Sequence, residues 1–477
     1  MKRLLIWAYL ALTGLLGSHA NSETNRESLD FGDSLDIGSR RELFVDDRLI
    51  ESMTEGITWE LVQPQPCEVV LTTDAPWEGN TSAYYTVLRD DDRFRMYYRG
   101  SHWDNQKQQS PHREVTCYAE SQDGIHWTKP ALGLFEFEGS RANNIVLDGL
   151  GTHCFAAFKD LNPACDPSAR YKGISRGRPV GERGLYTFQS ADGLHWQQSS
   201  AQPVITEGAF DSQNLAFWDS KSQVYREYHR TFVDGVRAIM TSDSKDWANW
   251  TSPRLLEYQA TIPAEHLYTN AVQPYVRAPH LLLGFPTRYL PSQGQRVEPT
   301  LMASRDGVHF FRWLEPVIPE DAPQDRRGNR SNYMAWGVVE LDSRPNHLSV
   351  YATEAYYEGP DSRVRRFEYR KDGFVKVAAG DQVGALITKP IRFSGSRLEL
   401  NYACQKSGQL RVELQDARGQ PLPGFSIAEC EPLKGDALAD SVKWNQGSDV
   451  SRLAGQVIKI RFELQRANLY AFQFVHP

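Results

Sequence analysis

Short apolar runs separated by turn residues dominate the pattern of the chain from about residue 41 onward. Each run is about four to eight residues long, is rich in β-branched and aromatic side chains, and stops at Asp, Gly, Asn or Pro. The runs SAYYTVLRD, RFRMYYRG and VTCYAES follow one another closely, as antiparallel strands joined by tight turns do. The pattern therefore predicts an all-β chain.

One phrase recurs among these runs. It reads SQDGIHWTKP from Ser121, SADGLHWQQS from Ser190 and SRDGVHFFRW from Ser304, with fainter copies SKDWANWTSP from Ser244 and RKDGFVKV from Arg370. The starts are separated by 69, 54, 60 and 66 residues. Self-similarity at a near-constant period indicates a repeat architecture.

Each repeat unit holds three runs and a fourth that begins with the phrase. We therefore predict five four-stranded antiparallel sheets arranged radially, a five-bladed β-propeller over 41–379. The early segment RELFVDDRLIE lies outside the five units, and we expect it to complete the last blade and close the ring. The region 380–477 alternates without the phrase, in runs such as LRVELQD and VIKIRFEL, and is predicted to be a β-sandwich.

The repeated phrase has a structural explanation. Asp-Gly permits the positive φ angles of a tight turn. The Ser and Asp side chains can bond nearby backbone amides, and the Trp or Phe that follows can pack between blades. The phrase resembles the Asp-box of sialidases with one residue missing, but we interpret it as a lock on each outer hairpin.

The N-terminus has the layout of a secretory signal peptide. Lys2 and Arg3 precede an apolar stretch from Leu4 to Leu16, and small residues follow at Ser18 and Ala20. The stretch is shorter than the roughly 20 residues that a membrane-spanning helix needs, which argues against an anchor. We predict a signal peptide over 1–20, a linker over 21–40, and a secreted or periplasmic protein that has no membrane contact after signal removal.

Composition limits the partners and cofactors. The formal net charge of -7 gives the chain no global attraction for phosphate, so we predict no nucleic-acid partner. No CxxC spacing is present, His153 and His266 have no fixed ligand spacing, and we predict neither a metal nor another cofactor.

The six cysteines of an exported chain can form disulfides. Cys67 and Cys117 fit buried free thiols at least as well. Two pairs are plausible by proximity in sequence: Cys154 with Cys165, and Cys404 with Cys430.

The layout of an exported propeller followed by a sandwich resembles the propeller enzymes of glycoside hydrolase families 32 and 43. The strings LFVDD, DAPWEGN, FDSQNLAFWD, LYTN and GFPTRY resemble a group of secreted bacterial five-bladed propellers related to those families. The resemblance implies a carbohydrate substrate, bound in a funnel on the central axis that the innermost strand of each blade lines.

Glycoside hydrolysis needs paired carboxyl groups, one to protonate the leaving oxygen and one to attack carbon or activate water. Glu78, Asp211 and Glu265 each stand just ahead of a predicted innermost strand of a different blade, and we predict that these three are catalytic. Glu78 lies where the resemblance places the nucleophile of family 32. Each also has a simpler explanation: a solvated loop for Glu78, a turn cap for Asp211 and a helical turn for Glu265.

Other polar and aromatic residues near the same strand ends are candidates for substrate binding. Aromatic rings can stack on a sugar face while polar groups fix its orientation. The candidates are Trp77, Asn80, His153, Asn214, Arg230, Tyr268, Asn270, Arg288 and Trp336.

Three arginines, Arg99, Arg230 and Arg288, lie near the inner ends of second strands. If these arginines face the funnel, they would favour an anionic sugar. The equal alternative is that they pair with the funnel's own carboxylates.

Two functions stay open. One is an exported glycoside hydrolase acting on a polysaccharide or oligosaccharide. The other is a non-catalytic carbohydrate-binding propeller, which stays open because the Asn-Asp-Pro-Asn and Arg-Asp-Pro stretches of family 32 are absent.

Overall fold

The structure is a computed structural model that describes residues 34–319 and 332–476. The predicted signal peptide and most of the predicted linker lie outside the described residues. Within them no helix is long and apolar enough to cross a membrane. The prediction of an all-β chain is confirmed, since helix in the described part is limited to four short 3-10 turns: Asp47–Leu49, Pro167–Ala169, Pro291–Gln293 and Ser451–Leu453.

The strands follow the predicted succession of short apolar runs. Before the first repeat unit they are β1 (Leu35–Gly38), β2 (Arg41–Leu43), β3 (Ile50–Met53), β4 (Ile57–Leu61) and β5 (Gln65–Thr72). The first unit has β6 (Ala83–Asp90), β7 (Arg93–Gly100), β8 (Val115–Ser121), β9 (Trp127–Thr128) and β10 (Ile145–Asp148). The second unit has β11 (Ala156–Lys159), β12 (Tyr171–Arg176), β13 (Leu185–Ser190) and β14 (Gln197–Gln198).

The later units contain additional short strands. The third has β15 (Leu215–Asp219), β16 (Val224–Val233), β17 (Val236–Ser244) and β18 (Arg254–Leu255). The fourth has β19 (Glu257–Tyr258), β20 (His266–Leu267), β21 (Gln273–Tyr275), β22 (Ala278–Gly284), β23 (Thr287–Leu290), β24 (Arg296–Pro299), β25 (Met302–Ser304) and β26 (His309–Arg312). The fifth has β27 (His347–Glu354) and β28 (Arg363–Arg370). The last strands are β29 (Val375–Ala379), β30 (Gly384–Thr388), β31 (Ile391–Phe393), β32 (Arg397–Gln415), β33 (Asp436–Ser441) and β34 (Lys459–Val475).

Each repeat unit forms a sheet of its own. The orders are β10-β8-β7-β6 with β9 on β8, then β11-β12-β13-β14, then β15-β16-β17-β18, then β19-β26-β25-β22-β21. The fourth unit also carries the small sheet β20-β23-β24. The fifth sheet is β27-β28-β5, and β27 is bridged on its other side by Met334 and Val339.

The fifth sheet is completed by β5, which pairs antiparallel with β28. The prediction that RELFVDDRLIE closes the ring is therefore wrong. That segment forms β2 and β3, which pair with β34 and β30 of the C-terminal sheet. Phe44 explains the difference, because its ring packs against Phe462 and Phe472 in the C-terminal core.

The first strands of different sheets touch one another. The segment around Trp336 donates its amide to Tyr85 O on β6 (2.9 Å) and accepts at its carbonyl from the amide of Val87 (2.7 Å). The Trp336 indole donates to Val272 O, just before β21 (2.9 Å). A Cβ at Gly337 would lie 2.0 Å from Val87 O, so only glycine permits this close approach.

The repeated phrase has the same local geometry in four of its five copies. Ser121 Oγ accepts from the amides of Asp123 and Gly124, and Asp123 Oδ1 accepts from the amides of Ile125 and His126. Similar bonds form at three other copies, around Asp192, Asp246 and Asp306. These contacts support the structural interpretation of the phrase.

The C-terminal sheet begins earlier than predicted. It contains eight strands around β34, and β2, β3, β4 and β29 belong to it although the sequence places them before residue 380. The long strands β32 and β34 pair along most of their length, with register shifts at Asn401/Tyr402 and Cys404/Gln409. The assignment of this region as a sandwich stays a prediction.

The two disulfides suggested by the sequence do not form, because all six cysteines are free. Cys154 is buried against Ser175 and Asn214, whereas Cys165 lies beside Lys172. Cys404 and Cys430 each contact backbone groups instead of each other.

Candidate functional site

Antiparallel pairing brings distant residues to one end of the first three sheets. The start of a first strand and the end of a second strand lie at the same end of such a sheet. His153 and Asp211 therefore come just before β11 and β15, while Arg99 and Arg176 stand at the ends of β7 and β12. We call the group that gathers here the axial cluster. It consists of Tyr84, Arg99, Glu114, His153, Arg176, Asp211, Arg230, Arg237, Tyr268, Tyr333 and Tyr356.

His153 lies between two carboxylates. Its Nδ1 is 2.9 Å from Glu114 Oε2, and its Nε2 is 2.9 Å from Asp211 Oδ1. Arg99 Nη1 lies 3.3 Å from both ring nitrogens and 3.6 Å from Glu114. The imidazole thus links a carboxylate that precedes the third strand of the first sheet to one that precedes the first strand of the third sheet.

Asp211 is the exposed carboxylate of the axial cluster. Its side chain is 59% exposed, although Arg176 Nη1 holds it at 2.7 Å and His153 at 2.9 Å. The hydrogen bond from His153 lowers the pKa of Asp211, and the charges of His153, Arg176 and Arg230 lower it further, whereas burial raises it. The net result is a pKa of Asp211 well below its usual range. Asp211 is therefore an ionised carboxylate that a ligand can reach.

Glu114 is also ionised. Burial raises its pKa, but the hydrogen bond from His153 and the charge of Arg99 outweigh burial and lower the pKa to about 2. Both carboxylates that contact His153 therefore carry negative charge at neutral pH.

Four tyrosine rings line the cluster. Tyr333 is 5.6 Å from Tyr268 and 5.7 Å from Tyr356 between ring centroids, and Tyr84 is 5.7 Å from His153. Burial raises the pKa of Tyr84 well above its usual value, and nearby tyrosines add to the effect. Tyr84 has φ +59°, a strained conformation for a bulky residue and one that is concentrated at functional sites.

Two arginines of the third sheet lie over one of these rings. The guanidinium carbons of Arg230 and Arg237 are 4.9 and 5.1 Å from the centroid of Tyr268. Arg230 is near the end of β16, and Arg237 lies near the start of β17. A tight hairpin therefore places both cations at the same end of the sheet.

The structure thus brings together four of the residues predicted from sequence: Asp211, His153, Arg230 and Tyr268. It also brings in Arg99, which the sequence marked as a possible funnel residue. The other predicted residues lie elsewhere.

Glu78 does not contact the axial cluster. Its side chain is fully buried and lies 2.6 Å from Lys129 Nζ, and it accepts from Tyr98 OH at 2.5 Å. Lys129 follows the outer strand β9, so Glu78 ties the loop before β6 to the outer part of its own sheet. The expected meeting of Glu78 with Asp211 is not found among its contacts.

Glu265 is likewise bound within its own region. It pairs with Arg288 Nη1 at 3.2 Å and with Arg312 Nη2 at 2.7 Å, and Arg288 also pairs with Glu298 at 2.7 Å. The alternative given for the second-strand arginines, pairing with a carboxylate of the protein, therefore holds for Arg288. Of the three predicted carboxylates only Asp211 lies in the axial cluster, where the second carboxylate is Glu114.

The remaining candidates bond to neighbouring parts of the protein. The Trp77 indole donates to Asn144, and the Trp336 indole donates to a backbone carbonyl. Asn80 joins two loops through Trp103 O and Gly359 O. Asn214 and Asn270 are buried, and their amides donate to nearby carbonyls. These contacts give all five residues a structural explanation.

The sequence did not single out Glu114, Arg176 or Arg237. Glu114 and Arg237 stand at the start of a third strand, and Arg176 stands at the end of a second strand, as Arg99 does. Antiparallel pairing alone could have identified them, because it places those ends beside the start of the first strand.

A separate cavity of about 670 Å³ lies beside the fourth sheet. None of its lining residues belongs to the axial cluster. Arg305 in its wall is paired with Glu42 at 2.7 Å and with Asp46 at 2.8 Å, which accounts for its charge. Among the residues that the structure describes, no group of three His, Cys, Asp or Glu side chains could hold a metal ion.

No family model matches the chain, and no curated protein matches it in sequence. Solved structures similar to it include a family 32 beta-fructofuranosidase from Bombyx mori, at 9% identity and a TM-score of 0.43, covering 91% of this chain and 96% of that one. A beta-1,2-mannobiose phosphorylase from Listeria innocua gives 11% and 0.43, covering 69% and 96%. An N-acetylgalactosamine deacetylase from F. plautii gives 13% and 0.43, covering 66% and 96%. At these values the function has to be argued from the residues of the chain itself.

Proposed function

We propose that the five repeat sheets are the blades of a five-bladed β-propeller and that a C-terminal β-sandwich packs beside it. The contacts between first strands support a ring: Trp336 bonds to β6 on one side and to Val272, just before β21, on the other. The axial cluster then lies at one mouth of the ring. We also propose that the chain is exported to the periplasm or secreted, on the signal pattern of residues 1–20.

We propose that the chain is a glycoside hydrolase that acts on an anionic polysaccharide or oligosaccharide in the axial cluster. The observation that carries this proposal is the exposed, ionised Asp211 at the meeting point of three sheets, beside tyrosine rings and four arginines. Rings suit sugar faces, and guanidinium groups suit carboxylate or sulfate. Cations outnumber carboxylates in the cluster, which favours an acidic substrate.

Asp211 takes the role of the ionised carboxylate, which attacks the anomeric carbon or activates water. His153 faces an ionised carboxylate at each ring nitrogen, and such carboxylates only accept hydrogen bonds. His153 is therefore positioned to donate to Asp211, and we assign to it the transfer of a proton to the leaving oxygen of the sugar. Glu114 and Arg176 act as positioning residues that fix the imidazole and the carboxylate.

A second function, the non-catalytic binding of a carbohydrate, is favoured by one observation. Paired-carboxylate catalysis uses one carboxyl group whose pKa is raised so that it can give up a proton. The pKa values of Asp211 and Glu114 are both lowered. A site with the same arginines and tyrosines could bind a sugar and leave it intact.

The deciding experiment incubates the purified protein with a panel of acidic and neutral polysaccharides and analyses the products. On any substrate that is cleaved, Asp211→Asn should lower turnover by about 10²- to 10⁴-fold while binding persists, since it keeps the shape and removes the charge. Asp342→Asn is the matched control, because Asp342 is an exposed aspartate paired with Arg89. Binding without cleavage by the wild type would establish the second function. Full activity of Asp211→Asn would remove Asp211 from catalysis.

A further inference from the structure

Arg230 is a buried cation for which the described part of the chain supplies no hydrogen-bonding partner. Its residue is 5% exposed, and among the described residues its side chain donates no hydrogen bond and lies in no ion pair. The charge of Arg230 lowers the pKa of Asp211, so the two side chains are near each other. The short contacts of Asp211 are nevertheless with His153 and Arg176. Burying an unpaired guanidinium is costly, so such a group is kept where a ligand supplies the missing acceptor.

Arg237 lies beside Arg230 and also has no carboxylate partner among the described residues. Both guanidinium carbons are 5.4 Å from the ring centroid of Phe232, and both lie over Tyr268. Arg237 Nη1 lies 3.3 Å from His266 Nδ1, which also accepts from the Arg237 amide at 3.2 Å. An imidazole that accepts a hydrogen bond carries no negative charge, so His266 does not neutralise Arg237.

The other two arginines of the axial cluster are already neutralised. Arg99 lies 3.6 Å from Glu114, and Arg176 lies 2.7 Å from Asp211. The excess positive charge is therefore confined to the Arg230 and Arg237 side of the site.

We propose that Arg230 and Arg237 bind the negatively charged oxygen group of an acidic sugar, the carboxylate of a uronate or a sulfate ester. This inference rests on the proposed function and adds to it the subsite that selects the substrate. The planar fork of a guanidinium matches two oxygens of either group. Phe232 is 47% exposed at the β16–β17 hairpin and offers its ring to the sugar that carries the anion.

The test measures the affinity of four polysaccharides by affinity electrophoresis at low and matched ionic strength. Polygalacturonate and dextran sulfate carry the two kinds of anion, and fully methyl-esterified pectin and dextran are their neutral counterparts. Arg230→Met is the main variant, and it should fold, because it removes a buried charge that has no ion pair. Arg254→Met is the matched control at an exposed arginine of the same sheet.

We expect the wild type to bind at least one acidic polymer at least tenfold more tightly than its neutral counterpart. Arg230→Met should remove that preference, and Arg254→Met should keep it. The polymer that loses affinity identifies the anion as carboxylate or sulfate. Equal binding of the acidic polymers by the wild type and Arg230→Met would overturn the subsite, whether that binding is tight or undetectable. Cleavage of only the neutral polymers would overturn the subsite together with the acidic substrate and leave the glycoside hydrolase activity standing, and tight binding of only the neutral polymers would leave only carbohydrate binding. Binding of none would count against the carbohydrate function as well as the subsite.

Discussion

Glu78 and Asp211 are both acidic residues placed just ahead of a first strand, yet they differ in their partners. Glu78 is buried with Lys129, which lies 51 residues further along the chain, and with Tyr98. Asp211 is bound by His153 and Arg176 and remains open to solvent. Position relative to a strand therefore identifies an acidic residue near the end of a sheet, and the groups that bind the residue decide whether it stabilises the fold or contacts a ligand.

Replacing Glu78 with Gln should destabilise the protein. The change leaves the partly buried Lys129 ammonium with only the exposed Asp74 carboxylate, at 3.0 Å. Breaking a buried ion pair costs about 3 to 5 kcal/mol, and we expect a loss of up to that size because Glu78 is fully buried. Urea unfolding measures the loss, with Glu55→Gln at an exposed position as the control. Turnover per folded molecule should stay unchanged. A stable Glu78→Gln protein that no longer cleaves substrate would return Glu78 to catalysis.

Sequence reasoning located part of the axial cluster for a physical reason. His153, Asp211, Arg230 and Tyr268 stand near strand ends, and the hydrophobic pattern predicts those ends. It could not show that Lys129 reaches Glu78, or that Arg288 and Arg312 hold Glu265, because each contact joins segments distant in sequence. Long-range ion pairs leave no mark on the local pattern.

At the scale of elements, the repeated phrase joins neighbouring sheets. Its glycine carbonyl accepts a hydrogen bond from a tyrosine on a strand of another sheet in three copies. The pairs are Gly124 with Tyr351 at 2.7 Å, Gly193 with Tyr97 at 2.8 Å and Gly307 with Tyr228 at 2.9 Å. The turn chemistry of the phrase was readable from sequence, whereas its tyrosine partners and the closing strand β5 were not.

Tyr97→Phe tests this link between sheets. It deletes the bond to Gly193 O and leaves a buried carbonyl with one acceptor interaction fewer, so we expect a loss of about 1 to 2 kcal/mol in unfolding free energy. Tyr369→Phe is a matched control, because Tyr369 is equally buried and its hydroxyl has no partner among the described residues. Equal stability of the two variants, measured by urea unfolding, would show that the bond contributes nothing.

At the scale of the whole molecule, buried charges join the C-terminal sheet to the fourth sheet. Glu42 on β2 is buried, lies 2.7 Å from Arg305 Nη1 and lies 3.2 Å from His280 Nε2. Arg305 also binds Asp46 at 2.8 Å. Because β2 belongs to the C-terminal sheet and Arg305 follows β25, this network fixes the two parts of the chain against each other.

The network makes the joined molecule sensitive to acid. Burial raises the pKa of Glu42, but the hydrogen bond from His280 and the charge of Arg305 outweigh burial and lower the pKa from 4.5 to about 2. A carboxyl whose folded pKa is depressed contributes stability above its unfolded pKa and loses it as pH falls through the folded value. The contribution of Glu42, about 3 kcal/mol from this shift, should therefore be complete above about pH 4.5 and vanish towards pH 2.

Thermal unfolding between pH 2 and pH 7 checks this expectation. The melting temperature of the wild type should fall steeply below pH 4.5, and Glu42→Gln should start lower at pH 7 and fall less, because its amide does not titrate. Glu51→Gln, at a partly exposed glutamate paired with Lys459, should keep the wild-type slope. If Glu42→Gln and the wild type instead lose stability in parallel below pH 4.5, the acid sensitivity comes from other carboxylates. Glu114 would be the first of these to test, since its pKa is lowered to the same value.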